Sequence, residues 1–391
     1  MDKKNENESK IKSEKDEVKL PKNKVSEGMK LELRAKRLLF HMGYFPVQGI
    51  FIKTGFGEDS DVITDLDVYG LYLHKDFRRK TLWLDCKSGF SKPLERISWI
   101  KGIKQTLNID DAIFINRKMR LDTKQYAIRS GIQIFDKNIL EQIEKNYNIS
   151  EDDWHGSWSM ENINLFTSFS NLNIPDRQEF KKIAAFMSSE FWSRDAFTQL
   201  KKCITALRSL SIIPYEVMDD SENKAYRWGV YHLVELFTLS LLDICKDLYF
   251  LDYKDRTQIL LEGILSSDMP LKRRNEIYQS AITLANELIK DKYPNAQIKT
   301  DKSINITPPY YFEAIDDLIN RIINDPLTYY DILRSMDVLF MEYDLNRKAL
   351  DNDFIMKYCP NYQVNERGIK TILHLVNQIT NISKNHFQLI S

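Results

Sequence analysis

The segment Ile63 to Ser88, ITDLDVYGLYLHKDFRRKTLWLDCKS, constrains the chain more than any other. It holds two apolar runs that each carry carboxylates, and the second closes on Asp85-Cys86-Lys87. Strand side chains return to the same face every second residue, so Asp85 and Lys87 project together if TLWLDCK is a strand. Asp67, in the run VITDLDVYG, then comes from the neighbouring strand. Charges at such places are costly unless paired or metal-bound. Two carboxylates beside one ammonium can hold a divalent cation and orient a water, the equipment of phosphodiester hydrolysis. The competing explanation is plain surface charge on a solvated strand.

A third acid lies upstream. In EGMKLELRAKRLLFHMGY the residues Leu31, Ala35, Leu38, Leu39 and Met42 follow one helix face, and Gly43 supplies the stop. Glu32 sits at the margin of that stripe, either reaching inward or simply solvated. Periodicity then predicts strands over 47–53, 62–74 and 80–87, a helix over 94–107, a strand over 111–117, a short helix over 123–131, a strand over 132–136 and a closing helix over 139–147. The order is α-β-β-β-α-β followed by more of the same.

A helix Glu, an Asp in one strand and a (D/E)-x-K triplet in the next resemble the PD-(D/E)XK nuclease superfamily, the restriction endonuclease-like fold. DLDVYG followed by WLDCKSG is similar to the pattern of Mrr-type restriction enzymes and archaeal Holliday junction resolvases. The resemblance covers roughly residues 27–150. It implies an αβββαβ core, of α+β or α/β class. Asp67 would be the first metal-binding Asp, Asp85 the second acidic ligand, Lys87 the catalytic lysine and Glu32 the helix acid that orients a water or a second ion. The Cys86 backbone carbonyl is where the family often completes the shell of a Mg2+ or Mn2+ ion. The Cys86 side chain itself should face the core.

The sequence departs from the family pattern in two places: Asp stands for the commoner Glu in the triplet, and no Pro precedes Asp67. Asp65 shares a strand face with Asp67, which is preferred because Val68-Tyr69-Gly70 follows it. Gln105 occupies a position where branches of the family carry a Gln or Lys that touches DNA or supports the metal water; a surface glutamine is the alternative.

Whole-chain charge is balanced at 56 Lys+Arg against 56 Asp+Glu, but the balance is uneven along the chain. Residues 27–150 hold 21 basic against 16 acidic side chains, and residues 151–391 hold 27 against 34. Basic groups cluster at Arg78-Arg79-Lys80 and at Arg117-Lys118-Met119-Arg120, while Lys101 and Lys104 share a helix side with Gln105. These are candidate phosphate contacts.

The remaining chain divides by composition. Residues 1–26 are charged and nearly free of apolar side chains, which predicts a disordered tail and no signal peptide. Residues 151–175 read as an ordered linker whose Trp154, Trp158 and Phe166 pack on a neighbouring domain. Residues 176–391 carry long helical periodicities and predict an all-α bundle, suited to partner binding, homodimerisation or target recognition. The four cysteines are scattered without ligand spacing, and His41 reads as structural. No window reaches the roughly 18 unbroken apolar residues of a membrane span; Leu233 to Ile244 is interrupted by Glu235 and Asp243, so a cytoplasmic protein without a membrane partner is expected.

The function expected from these features is a metal-dependent endonuclease acting on DNA, in restriction, anti-phage defence or DNA repair. The alternatives are an RNA-directed nuclease, or a degenerate nuclease scaffold that binds nucleic acid without cutting or serves as a helical interaction protein.

Overall fold

The computed structural model describes residues 25–55, 60–89, 92–116, 119–172, 177–266, 271–292 and 307–391. Of the tail expected over 1–26, residues 1–24 lie outside the described residues and Ser26 caps the first helix, and the basic pair Arg117 and Lys118 also lies outside them. The architecture is mixed α/β, with one five-stranded sheet followed by a large helical assembly.

Helix α1 (Glu27–His41) starts where the Ser26 hydroxyl accepts the Met29 N–H at 3.2 Å. It stops where Gly43 takes a φ of +92°, a backbone angle that suits glycine. Strands β1 (Phe45–Lys53), β2 (Val62–Leu73) and β3 (Arg79–Cys86) follow as an antiparallel meander. Helix α2 (Pro93–Thr106) crosses over to β4 (Asp111–Ile115), and α3 (Leu121–Arg129) crosses to β5 (Ile132–Phe135), both strands joining in parallel. Helix α4 (Lys137–Asn146) closes the unit, with Asp136 accepting the Ile139 N–H at its start. Strand order in space equals strand order in sequence.

β3 is the middle strand and is buried from Thr81 to Cys86, which explains its nearly unbroken apolar reading. Its even-numbered side chains Leu82, Leu84 and Cys86 pack with Val68, Ile113, Ala35, Leu38 and Leu140 beneath α1 and α4. Trp83, on the opposite face, meets Trp99 of α2 edge-on at 5.6 Å.

The second half contains α5 (Leu165–Ser170), α6 (Arg177–Ser188), α7 (Ala196–Ser211), α8 (Asp220–Leu248), α9 (Tyr253–Leu265), α10 (Leu271–Lys292) and α11 (Phe312–Asn324). It ends with α12 (Pro326–Tyr329), α13 (Ile332–Val338), a π-helical turn over Leu339–Asp344, α14 (Asn352–Tyr358) and α15 (Tyr362–Thr380). Tyr330 and Asp331 form a turn between α12 and α13, and there the Tyr330 hydroxyl and the Asp331 carboxylate both accept from the Asn361 side chain at 2.8 and 3.2 Å.

No solvated gap separates the two halves. One apolar core runs from β1 and β3 through Trp158 to α7, α8 and α15. The segment over 151–172 is part of that core: Trp158 lies 4.5 Å from the Phe40 ring and 5.9 Å from Tyr358. Polar ties cross the same boundary. Arg79 binds Asp243 of α8 at 2.7 Å, and Arg334 of α13 donates to the Phe40 and Tyr358 carbonyls at 3.1 and 3.0 Å.

Among the described residues α8 alone is long and apolar enough to cross a membrane, but 89% of its apolar window is buried against the rest of the protein. Gly229 is what lets α5 approach it, since a Cβ there would fall 2.1 Å from the Phe169 ring. Gly229→Ala is therefore expected to lower stability by about 1–3 kcal/mol through overpacking. Gly102→Ala, on the exposed face of α2 with nothing within 4 Å of the new methyl, is expected to raise it by about 0.5–1 kcal/mol. Thermal unfolding of the two variants checks the opposite signs.

Candidate active site

The register of β2 on β3 builds the site. Val68 pairs with Leu84, so one further step toward the end of the sheet sets Asp67 opposite Asp85 on the face that carries Trp83. Asp67 Oδ2 accepts the Cys86 backbone N–H at 2.7 Å and Lys87 Nζ at 3.2 Å. Lys87 Nζ stands 3.7 Å from Asp85 Oδ1. The three side chains that the sequence placed on adjoining strands thus meet at one strand end. Asp65, by contrast, is exposed.

Glu32 reaches the same end from α1. Its Oε2 accepts from Gln48 Nε2 at 2.9 Å, and Gln48 is the β1 partner of Val68. Glu32 and Lys87 feel each other's charge, as do Glu32 and Asp67. Cys86 points away into the α1 side of the sheet, where burial pushes its thiol well above the ordinary range.

Arg96, which sequence reasoning missed, completes the cluster. Its Nε donates to Asp85 Oδ2 at 2.9 Å, its Nη2 engages Asp85 Oδ1, and its guanidinium lies 3.8 Å over the Trp99 ring. The signal was available in principle: a crossover helix that begins a few residues after β3 must bring its first turn back to the strand's carboxyl end. Gln105 lies nine residues further along α2, roughly 13 Å along the axis at 1.5 Å per residue, and is exposed. Lys101 is exposed on the same stretch, and Lys104 donates to the Gly131 carbonyl at 3.3 Å.

The first basic cluster stands at the other end of β3. Arg79 is separated from Lys87 by eight residues, roughly 26 Å of strand. Each of its members has an acidic partner: Arg78 pairs with Asp76, Arg79 with Asp243 and Lys80 with Asp111. A cleft of mixed charge adjoins the carboxylates, its cations interleaved with Glu27, Glu141, Glu144 and Glu151. Lys87 forms part of the wall of this cleft of about 740 Å3 between α1 and α4, shared with Lys30, Arg34, Lys137 and Lys145. Arg34 is held by Glu144 at 2.8 and 2.9 Å.

Three carboxylates face two cationic side chains here. Burial, with Asp85 and Glu32 adding to it, pushes Asp67 from 3.8 up to about 6. Burial likewise raises Glu32, against the Gln48 hydrogen bond and Lys87. Burial opposes the charged form of Lys87, but Asp85 and Asp67 outweigh it and its pKa is raised. Among the described residues no three His, Cys, Asp or Glu side chains stand ready together as ligands of a metal ion. The donor set nevertheless suits a hard cation: it is all carboxylate oxygen, Asp67 accepts both of these hydrogen bonds through Oδ2 and so keeps Oδ1 for another partner, and the local charge is one positive short. Asp85 joins most readily by giving up part of its Arg96 contact, since Arg96 engages both of its oxygens.

No protein-family model, no curated protein and no solved structure matches the chain.

The raised Asp67 pKa carries a cost to folding. The penalty is absent below about pH 3.8, grows as the unfolded chain ionises first, and is complete above about pH 6. Asp67→Asn should therefore be the more stable protein at neutral pH, by on the order of 1–3 kcal/mol, with the difference vanishing near pH 4. Denaturant unfolding of both proteins across that range measures it.

Proposed function

We propose that the chain is a cation-dependent nuclease of the PD-(D/E)XK, restriction endonuclease-like kind, cutting phosphodiester bonds in DNA. The observation that carries the reading is Lys87 Nζ lying within 4 Å of both Asp67 and Asp85 at one strand end, with Glu32 close enough to interact electrostatically with Lys87 and Asp67.

Asp67, Asp85 and Glu32 would hold a Mg2+ or Mn2+ ion, which supplies Lewis acidity and a nucleophile at neutral pH. Lys87 contributes a fixed positive charge, held protonated by the two Asp carboxylates, to the negative charge that grows on the scissile phosphate. Cys86, through its N–H, fixes Asp67 Oδ2 and leaves Oδ1 to face the reaction. Gln48 fixes one oxygen of Glu32 in the same way. Arg96 neutralises Asp85 when no other cation does, and its stacking on Trp99 keeps it within reach.

The cleft between α1 and α4 suits the polymer. A nucleic-acid backbone lying along Lys30, Lys137 and Lys145 brings a phosphate to Lys87, with Lys30 leaving Glu27 and Lys137 leaving Glu141, whereas the cluster at 78–80 is roughly 26 Å of strand away. DNA is favoured over RNA by the resemblance alone, and parallel digestion of both polymers separates the readings.

Plasmid nicking with Mg2+ or Mn2+ tests the function. Lys87→Ala is expected to keep DNA binding and lose at least about 100-fold in cleavage, with Asp85→Ala equally inactive. Equal cutting by the wild type and Lys87→Ala contradicts the proposal. Replacing Lys30, Lys137 and Lys145 together by Ala should weaken binding and lower its salt slope by about one unit for each phosphate no longer neutralised, more than the pair Arg78→Ala and Lys80→Ala does.

A further inference from the structure

Between β1, α1, α8 and α13 lies a cavity of about 350 Å3 that the proposed hydrolysis does not use. Phe45, Val47, Phe166, Met187, Trp228 and Met341 give it an apolar wall. Four titratable groups line it from three elements: Lys36 from α1, His232 and Glu235 from α8, and Asp337 from α13. Its volume lies in the range of small-molecule sites, about 300–1,000 Å3, and an apolar wall with a few convergent polar groups is their usual composition.

The polar groups are incompletely matched. Ser157 Oγ donates to Asp337 Oδ2 at 2.8 Å, and His232 Nδ1 lies 3.2 Å from Glu235 Oε2. Glu235 is only 1% exposed, yet its Oε1 has no hydrogen-bond partner among the described residues. A buried oxygen left so is expensive.

Charge is mismatched as well. Two carboxylates face one ammonium, and His232 adds no charge, because burial lowers its pKa to about 4. Burial pushes Glu235 up to about 8, and burial together with Glu235 pushes Asp337 up to about 7, with Lys36 opposing both. Fully ionised, the set would lack one positive charge, and for want of it Glu235 and Asp337 hold their protons up to about neutral pH.

We propose that this cavity binds a small organic monocation, an arylalkyl primary amine whose ammonium donates to Glu235 Oε1 and balances Asp337 while its ring lies against Trp228 and Phe45. The lining disfavours the other ligand classes. An anion would meet two carboxylates for one ammonium. A neutral hydrophobe would leave Glu235 Oε1 unpaired. A bare metal ion would fill little of the volume and find only two acidic ligands.

The test is isothermal titration of the full chain with phenethylamine, and with 2-phenylethanol as its neutral counterpart of matched shape. The amine is expected to bind at least about tenfold more tightly, the discrimination of one charge-assisted hydrogen bond, and to raise the melting temperature by mass action. Glu235→Gln should abolish the preference for the amine, whereas Lys36→Met, by removing the competing ammonium, should tighten amine binding. Equal binding of the two compounds, binding of neither, or weaker amine binding by Lys36→Met overturns the proposal. The readout is binding, so its outcome does not depend on whether the chain cuts nucleic acid.

Discussion

The site rests on one electrostatic imbalance: three carboxylates converge at the end of the sheet, and only two cationic side chains meet them. That convergence needs several local decisions of the chain to agree. The β2–β3 register must set Asp67 across from Asp85. Gly43 must end α1 so that β1 can return Gln48 to Glu32. The first turn of α2 must bring Arg96 back to Asp85. A one-residue slip of β2 would turn Asp67 to the other face and dissolve the cluster. Burial first, with Asp85 and Glu32 adding to it, is why Asp67 is expected to cost the fold stability at neutral pH, as functional carboxylates commonly do.

The helical half is the sheet's wall rather than a separate body. Trp158 inserts between Phe40 and Tyr358, and Tyr69 of β2 meets Trp192 edge-on at 5.9 Å. The two acids that interrupt the apolar run of α8 each have a use: Asp243 anchors Arg79, and Glu235 lines the cavity. Gln48 borders that cavity and also holds Glu32, so the two polar clusters are one side chain apart.

Strand and helix order in the first half was legible because short-range periodicity decides it. The runs around Val68 and Leu84 alternate or saturate with apolar residues in the way that half-buried and buried strands must, and each element expected over 27–147 is present within a few residues. Asp67, Asp85 and Lys87 could be placed together because a two-residue period and one strand pairing sufficed. Arg96 was not legible as a partner of Asp85, since nothing in its neighbours marks one helical Arg among several. That Arg78, Arg79 and Lys80 each have an acidic partner, one from as far away as Asp243, was not legible either. Helix α14, seven residues long, is too short to show a period and starts on the Asp351 cap. The cavity was invisible because Lys36, Glu235 and Asp337 are brought together only by the tertiary fold.

A hard cation that makes up the missing charge at the sheet end is the centre of the proposed chemistry. Crystals of the wild-type protein grown with Mn2+ test it most directly through anomalous scattering. The expected result is a single strong peak at about 2.0–2.6 Å from oxygens of Asp67 and Asp85, with Glu32 turned toward it and Arg96 withdrawn from at least one Asp85 oxygen. Full Mn2+ in the crystal with no peak there, and Arg96 still holding both oxygens of Asp85, would contradict it.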